Sequence, residues 1–269
     1  MDALTALRLQ IEWGADEALE AAPLDRLRPV EVRPVPAAAP SEPTLAPAMP
    51  ATPSMPAGSS TPRGMLVERA AEAAASASTL EALRNVINGF DGLPLRDTAT
   101  NMVFAEGDAA SGLLMIGDAP NADADRAGSL MAGPVGAYLD QMLRSAGIDR
   151  SHTMITPLIP WRPPGDRPPS PGEIATCLPF LHRLISIVAP RRLVLLGPLP
   201  IRTLLGSAPV RRRDAPTWQK ADIPSAHMSI EALSLPSPAI LLRTPSQRRN
   251  AWAALRLLRR TLDDDLTRN

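Results

Sequence analysis

A carboxylate set just behind an apolar run is the clearest chemical signal in this chain. Leu113-Leu114-Met115-Ile116 leads into Gly117-Asp118-Ala119-Pro120-Asn121, and Asp123 and Asp125 follow closely. If the apolar run is a buried strand, Asp118 stands at its carboxyl end, where open α/β sheets place their ligands. A carboxylate there can orient a water molecule or face a developing positive charge. Asn121 can share that role or cap the next turn, since Asn favours turn geometry. Asp123 and Asp125 have no third ligand in sequence, so turn capping is expected of them rather than metal binding. A second chemical segment, Trp161-Arg162-Pro163-Pro164-Gly165-Asp166-Arg167, sets two arginines on a proline-stiffened loop suited to a phosphate backbone. A third, Ile240-Leu241-Leu242-Arg243-Thr244-Pro245, adds another arginine. His152, His182 and His227 lack metal-ligand spacing and any nucleophile motif, so each is expected at an ordinary surface or interface.

These segments need elements to position them. Ser78 and Glu81 form a capping-box pattern ahead of Leu80, Leu83 and Ile87, which predicts a helix over 79–88 closed by Asn88-Gly89. Leu113 to Ile116 is short and continuously apolar, which predicts a central parallel strand. Leu139, Met142, Leu143 and Ala146 line the next helix, which ends at Gly147. Further strands are expected at Thr153–Thr156, Leu193–Leu196 and within Ile230–Leu235. Ser170-Pro171-Gly172-Glu173 is the strongest helix start, with Cys177 on the buried stripe behind it and Pro190 closing the helix. A short helix runs from Ile201 to Leu205, and Ser246 caps a last helix with Trp252, Leu255, Leu258 and Leu262 facing inward. Strands alternating with helices predict an α/β domain, a three-layer αβα sandwich around a mostly parallel four-stranded sheet.

Composition bounds the rest. Of the 31 prolines, eleven fall between Pro23 and Pro62, among Ala, Ser, Thr and Glu. That stretch has too little apolar mass to offset the entropy of ordering it. The expected organisation is an amphipathic helix in 1–20 carrying Leu4, Leu7 and Ile11, a Pro/Ala-rich disordered linker in 21–63, and a folded domain in 64–269 whose core begins near Ser78. Basic and acidic residues number 28 each, so any nucleic-acid contact has to be local. The single cysteine, Cys177, excludes an intramolecular disulfide and a four-cysteine site within one chain. With no run long enough to span a bilayer and no signal-peptide core, a cytoplasmic protein without membrane contact is expected.

Taken together, the segments resemble the uracil-DNA glycosylases of the iron-sulfur type, family 4, over about 78–262. The resemblance lies in Gly117, Ala119, Pro120 and Asp125, then Gly133 and Gly136, then Arg162-Pro163-Pro164-Gly165 and Arg167, then Leu241-Leu242-Arg243 and Trp252, in that order and spacing. It implies a uracil-DNA glycosylase-like fold and a role in base-excision repair, with DNA as partner, either single-stranded or as a duplex with a flipped base. Even Trp13 and Asp16-Glu17-Ala18 look like an extension seen in some bacterial members.

The resemblance also implies four chemical tasks. In the family a Glu places water near the sugar, a Phe stacks on the base, an Asn reads uracil, and a His hydrogen-bonds the developing anion. Here Asp118, Met131, Pro157 and Ser237 fall at those positions. The charge is kept on a shorter arm, the flat ring and the reading amide are gone, and a neutral hydroxyl replaces the imidazole. Asp118 and Ser237 are thus the candidate catalytic residues, Ala119, Pro120, Asn121, Met131 and Pro157 the candidate base pocket, and Arg162, Arg167 and Arg243 the candidate DNA contacts. At the family's cysteine positions stand Leu93, Trp161 and only Cys177, so the family's iron-sulfur cluster is expected to be absent and no cofactor is expected. The resulting expectation is a divergent member with weak or no uracil excision and retained DNA binding. Its rivals are an active glycosylase of altered base preference, and an interaction module tethered to a repair complex through the amino-terminal helix.

Overall fold

A computed structural model describes residues 63–206 and 215–267, without the side chains of Ala226 and Leu266. The expected amino-terminal helix and nearly all of the linker lie outside the described residues, as does Arg211-Arg212-Arg213, a basic run that in sequence could contact phosphate or form a solvated face.

In chain order the elements are α1 (Arg63–Ser76), α2 (Leu80–Gly89), α3 (Leu95–Thr98), β1 (Glu106–Gly107), β2 (Leu113–Gly117), α4 (Ala122–Ala127), α5 (Gly133–Ser145), β3 (Met154–Pro157), α6 (Pro171–Val188), β4 (Arg192–Leu196), α7 (Pro198–Leu205), β5 (Trp218–Ile223), β6 (Met228–Leu235), α8 (Pro238–Arg243) and α9 (Arg248–Thr267). The sheet order is β1-β3-β2-β4-β6-β5. The four expected strands, β2, β3, β4 and β6, make its parallel centre. Two antiparallel edge strands, β1 against β3 and β5 against β6, raise the count to six.

Side chains alternate across the sheet, so each strand feeds two layers. Leu114, Ile116, Leu193, Leu195 and Ala232 face one layer, where α1, α2 and α6 contribute Ala70, Leu83 and Phe180. Leu113, Met115, Val194, Leu196 and Leu233 face the other, against Leu139 and Leu143 of α5, Leu241 of α8, and Leu255 and Leu258 of α9. Both faces are covered, which is why the central strands read as unbroken apolar runs.

Some local expectations need correction. The core begins earlier than Ser78: Ala70 and Ala74 of α1 and Ala77 just after it are buried, and Arg183 Nε donates to the Ala77 carbonyl at 2.7 Å. Alanine buries too little surface for its stripe to stand out in sequence. The α2 cap is Thr79, one residue on, with its hydroxyl accepting from the Ala82 N–H, and the backbone beyond is extended at Phe90 rather than left-handed at Gly89. Ser246 lies inside a 3-10 turn, Pro245–Gln247, and α9 begins after it. Trp252 faces solvent, 44% exposed, because the buried stripe of α9 runs through Ala251, Ala254, Leu255 and Leu258, leaving position 252 about 100° round the helix. The capping box at Ser170 is present in full: the Ser170 hydroxyl accepts from the Glu173 N–H, and the Glu173 carboxylate accepts from the Ser170 N–H at 2.7 Å.

Candidate functional site

The register of the sheet assembles the site. Pro157 pairs with Gly117, Gly117 with Leu196, and Leu196 with Leu235, so the four parallel strands end in one row. Neighbouring strands lie about 4.8 Å apart, so the segments launched from that row begin within roughly 15 Å of one another. From β2 the chain goes to β3 on one side, and from β3 it crosses to β4 on the other. The crevice between the ends of β2 and β4 is therefore the switch point at which such sheets bind ligands. Asp118 follows β2 there, and Gly197 follows β4 opposite it.

Asp118 is held by the start of α7. The Leu199 N–H donates to its Oδ1 at 3.1 Å, and Gly197 at φ 109° leaves room that a Cβ would take from the carboxylate. A side chain at 197 would be strained by that backbone angle as well. Burial raises the carboxyl from its usual 3.8 to about 6, the Leu199 bond and the nearby Arg202 charge opposing the shift. Gly197, Leu199 and Arg202 were not picked out in sequence as site residues. Their signal was a Gly-Pro step directly after the apolar run Leu193–Leu196.

The other candidates divide by what they touch. Pro157 closes β3 beside Gly117 and is buried. Leu130 and Met131 cover Gly117: a Cβ there would meet Leu130 Cδ2 at 2.8 Å and Met131 Cε at 3.8 Å. Ala119 packs against the apolar layer shared with α6, and Pro120 is buried. Asn121 caps α4, its Oδ1 accepting from the Ala124 N–H at 2.9 Å. Asp125, 2% exposed, accepts from the Thr100 and Asn101 N–H groups and ties α4 to the segment after α3. Asp123 is bound to Arg126. Ser237 is buried at the entry to α8, where its carbonyl accepts from the Ile240 and Leu241 N–H groups and its hydroxyl makes no capping bond.

The arginines fall into two groups. Arg162 Nε donates to Asp166 at 2.7 Å, and Arg167 makes a two-pronged pair with Glu173 at 2.9 and 2.6 Å. The Arg162 head is thus neutralised within its own loop, and the Arg167 head by the first turn of α6. Arg243, at the end of α8, is exposed and has no ion pair among the described residues. His182 is not at the surface as expected: it is 8% exposed, its Nδ1 lies 3.0 Å from Ser225 Oγ, and burial lowers its pKa.

Leu93, Trp161 and Cys177, at 4%, 2% and 1% exposure, belong to one apolar cluster with Phe90 and Phe180. Burial pushes the Cys177 thiol far above its usual range, which opposes the thiolate that a metal ligand requires. Among the described residues no group of three or more His, Cys, Asp or Glu is placed to hold a metal ion. These residues do not fit a four-cysteine cluster within one chain.

Residues 104–258 match the family described as the Uracil DNA glycosylase superfamily. The Type-4 uracil-DNA glycosylase of Pyrobaculum aerophilum is 35% identical over 126 residues, 47% of this chain and 64% of the relative. That of Thermotoga maritima is 36% identical over 104 residues, 39% of this chain and 54% of the relative. That of Sulfurisphaera tokodaii is 36% identical over 99 residues, 36% of this chain and 45% of the relative. The chain thus spans less than two thirds of the length of these relatives. They also correct the expectation that there is no cofactor: Type-4 enzymes are the iron-sulfur type, so a cysteine count cannot dismiss the cofactor, whose status in this chain is unresolved. The matched segment contains the whole parallel sheet and the row of strand ends around Asp118, and by that match the chain belongs to the uracil DNA glycosylase superfamily.

Proposed function

We propose that this chain is a uracil-DNA glycosylase-like protein of base-excision repair that binds DNA at the rim of strand ends and has weak or no uracil excision. The observation that carries the reading is the composition of that rim. Asp118 is the candidate that keeps a charge, while Met131, Pro157 and Ser237 stand at the places that the resemblance gives to stacking, base reading and anion stabilisation. Breaking the bond between base and sugar leaves positive charge on the sugar and negative charge on the base. Asp118, ionised above pH about 6, serves the first. The second needs donors, and Pro157 has neither a side-chain amide nor a backbone N–H. Loss of one such donor commonly costs about 10²- to 10³-fold in rate.

A second reading has one observation in its favour. Asp118 is built into the crevice by Leu199 and Gly197, with a pKa suited to a working base, as an active glycosylase for another deaminated base would need.

The test is to incubate the protein with single- and double-stranded oligonucleotides carrying uracil or hypoxanthine and to score abasic sites. The expected result is DNA binding that weakens with salt, with little or no uracil cleavage. Efficient uracil cleavage that Asp118→Asn abolishes would overturn the proposal, and cleavage confined to hypoxanthine would replace it with the second reading.

A further inference from the structure

Three large apolar side chains are exposed among the described residues, Met65, Leu242 and Trp252, and Trp252 is the aromatic one. It lies on α9, whose buried stripe of Ala251, Ala254, Leu255 and Leu258 satisfies the core without it. Arg248, Trp252 and Arg256 are spaced one turn apart and share a face. Arg249 flanks that face. Arg249 and Arg256 are exposed and make no hydrogen bond or ion pair among the described residues, while Arg248 stands over the Tyr138 ring at 5.9 Å. Along α9 the first acidic residue is Asp263, and it is paired with Arg259.

The direction of α9 fixes where this face stands. The helix starts just after α8, which is launched from the end of β6, and its last turns reach the opposite end of the sheet, where Asp265 accepts from Arg192 at the start of β4. Arg248 therefore lies at the same end of the sheet as Asp118, and Trp252 is about 6 Å further along the helix axis.

An indole flanked along its helix by arginines, with no acid on that helix before Asp263, suits a strand that offers a flat base and flanking phosphates. A protein partner would be better met by an apolar surround, and the neighbours of Trp252 on its face are cations. We infer that the Arg248-Trp252-Arg256 face of α9 binds a single-stranded nucleic-acid segment beyond the rim, stacking one base on Trp252 and placing phosphates against the arginines. The inference rests on the DNA-binding reading above and adds a contact site away from the Asp118 crevice.

Fluorescence anisotropy tests it, with the full chain and a uracil-free thymidine oligonucleotide of about fifteen nucleotides, long enough to cover a typical single-strand site. Trp252→Ala should weaken binding about tenfold, the usual scale for one stacked base, with the salt slope unchanged because no phosphate contact is lost. Trp252→Tyr, which keeps a ring, should bind within about twofold of the native chain. Arg256→Gln should weaken binding and reduce the salt slope by about one. Native affinity in Trp252→Ala, or an equal loss in the Tyr variant, would overturn the stacking surface while leaving the DNA-binding reading in place. A native chain that binds duplex but not the single strand would overturn it too. A native chain that binds neither would sink the reading on which it rests.

Discussion

At Asp118, position and ionisation pull against stability. The carboxyl is lifted from 3.8 to about 6, chiefly by burial, so holding it ionised in the crevice costs on the order of 3 kcal/mol at neutral pH. Because the folded chain binds this proton more tightly than the unfolded chain, its contribution favours folding below pH 3.8 and is lost as pH rises through about 6. Asp118→Asn should therefore stabilise the protein by up to about 3 kcal/mol at pH 8 and change little at pH 4, as read from urea midpoints at the two values. Equal midpoints at pH 8 would mean that the carboxylate is not desolvated as described. The position of Asp118 was legible in sequence from the apolar run and the glycine before it. Its partners were not, since Gly197 and Leu199 lie some eighty residues away and reach it only because β2 and β4 are neighbours. Asn121 was ambiguous for a local reason: its side chain can cap a turn or face a ligand, and the helix start at Ala122 takes it.

Elements were legible in proportion to how much large apolar surface they bury. The four parallel strands are continuous runs because both of their faces are covered. The edge strands are not: β1 has two residues, and in β5 only Ala221 and Ile223 are buried. Among helices, α6 was the most legible because its start is written in side chains that bond the backbone. Glu173 serves twice there, accepting from the Ser170 N–H and pairing with Arg167 on the preceding loop. Hydrogen bonding to Arg167, ahead of the backbone bond to Ser170, lowers its carboxyl to about 2. A depressed carboxyl contributes stability above its unfolded value near 4.5, lost as pH falls through about 2. Glu173→Gln should cost about 1 kcal/mol at pH 7, the usual worth of a helix cap, and the cost should shrink as pH falls from 4.5 toward 2. Denaturation midpoints across that range measure it, and a cost independent of pH would show that the Arg167 pair carries none of it.

On the scale of the whole molecule, the start of the core is where sequence and structure part most clearly. A count of large apolar residues starts the core near Ser78, yet α1 lies on α6 and on the cluster around Phe90. A protein starting at Arg63, the first residue of α1, should unfold cooperatively with the stability of the full chain. One starting at Ser78 loses α1, uncovers α6 and strands the Arg183 head, and should be several kcal/mol less stable on area grounds. Thermal and urea unfolding of the two versions decides this, and equal stability would mean that α1 is an ornament on the fold.

The row of strand ends from Pro157 to Leu235 has an evolutionary consequence. Because the strands stop level, each connection beyond them can be exchanged for that of a relative without shifting a neighbour's anchor point. Chimeras made one connection at a time should therefore remain folded, and lineages of this fold are free to trade reactivity by editing turns while their cores stay still.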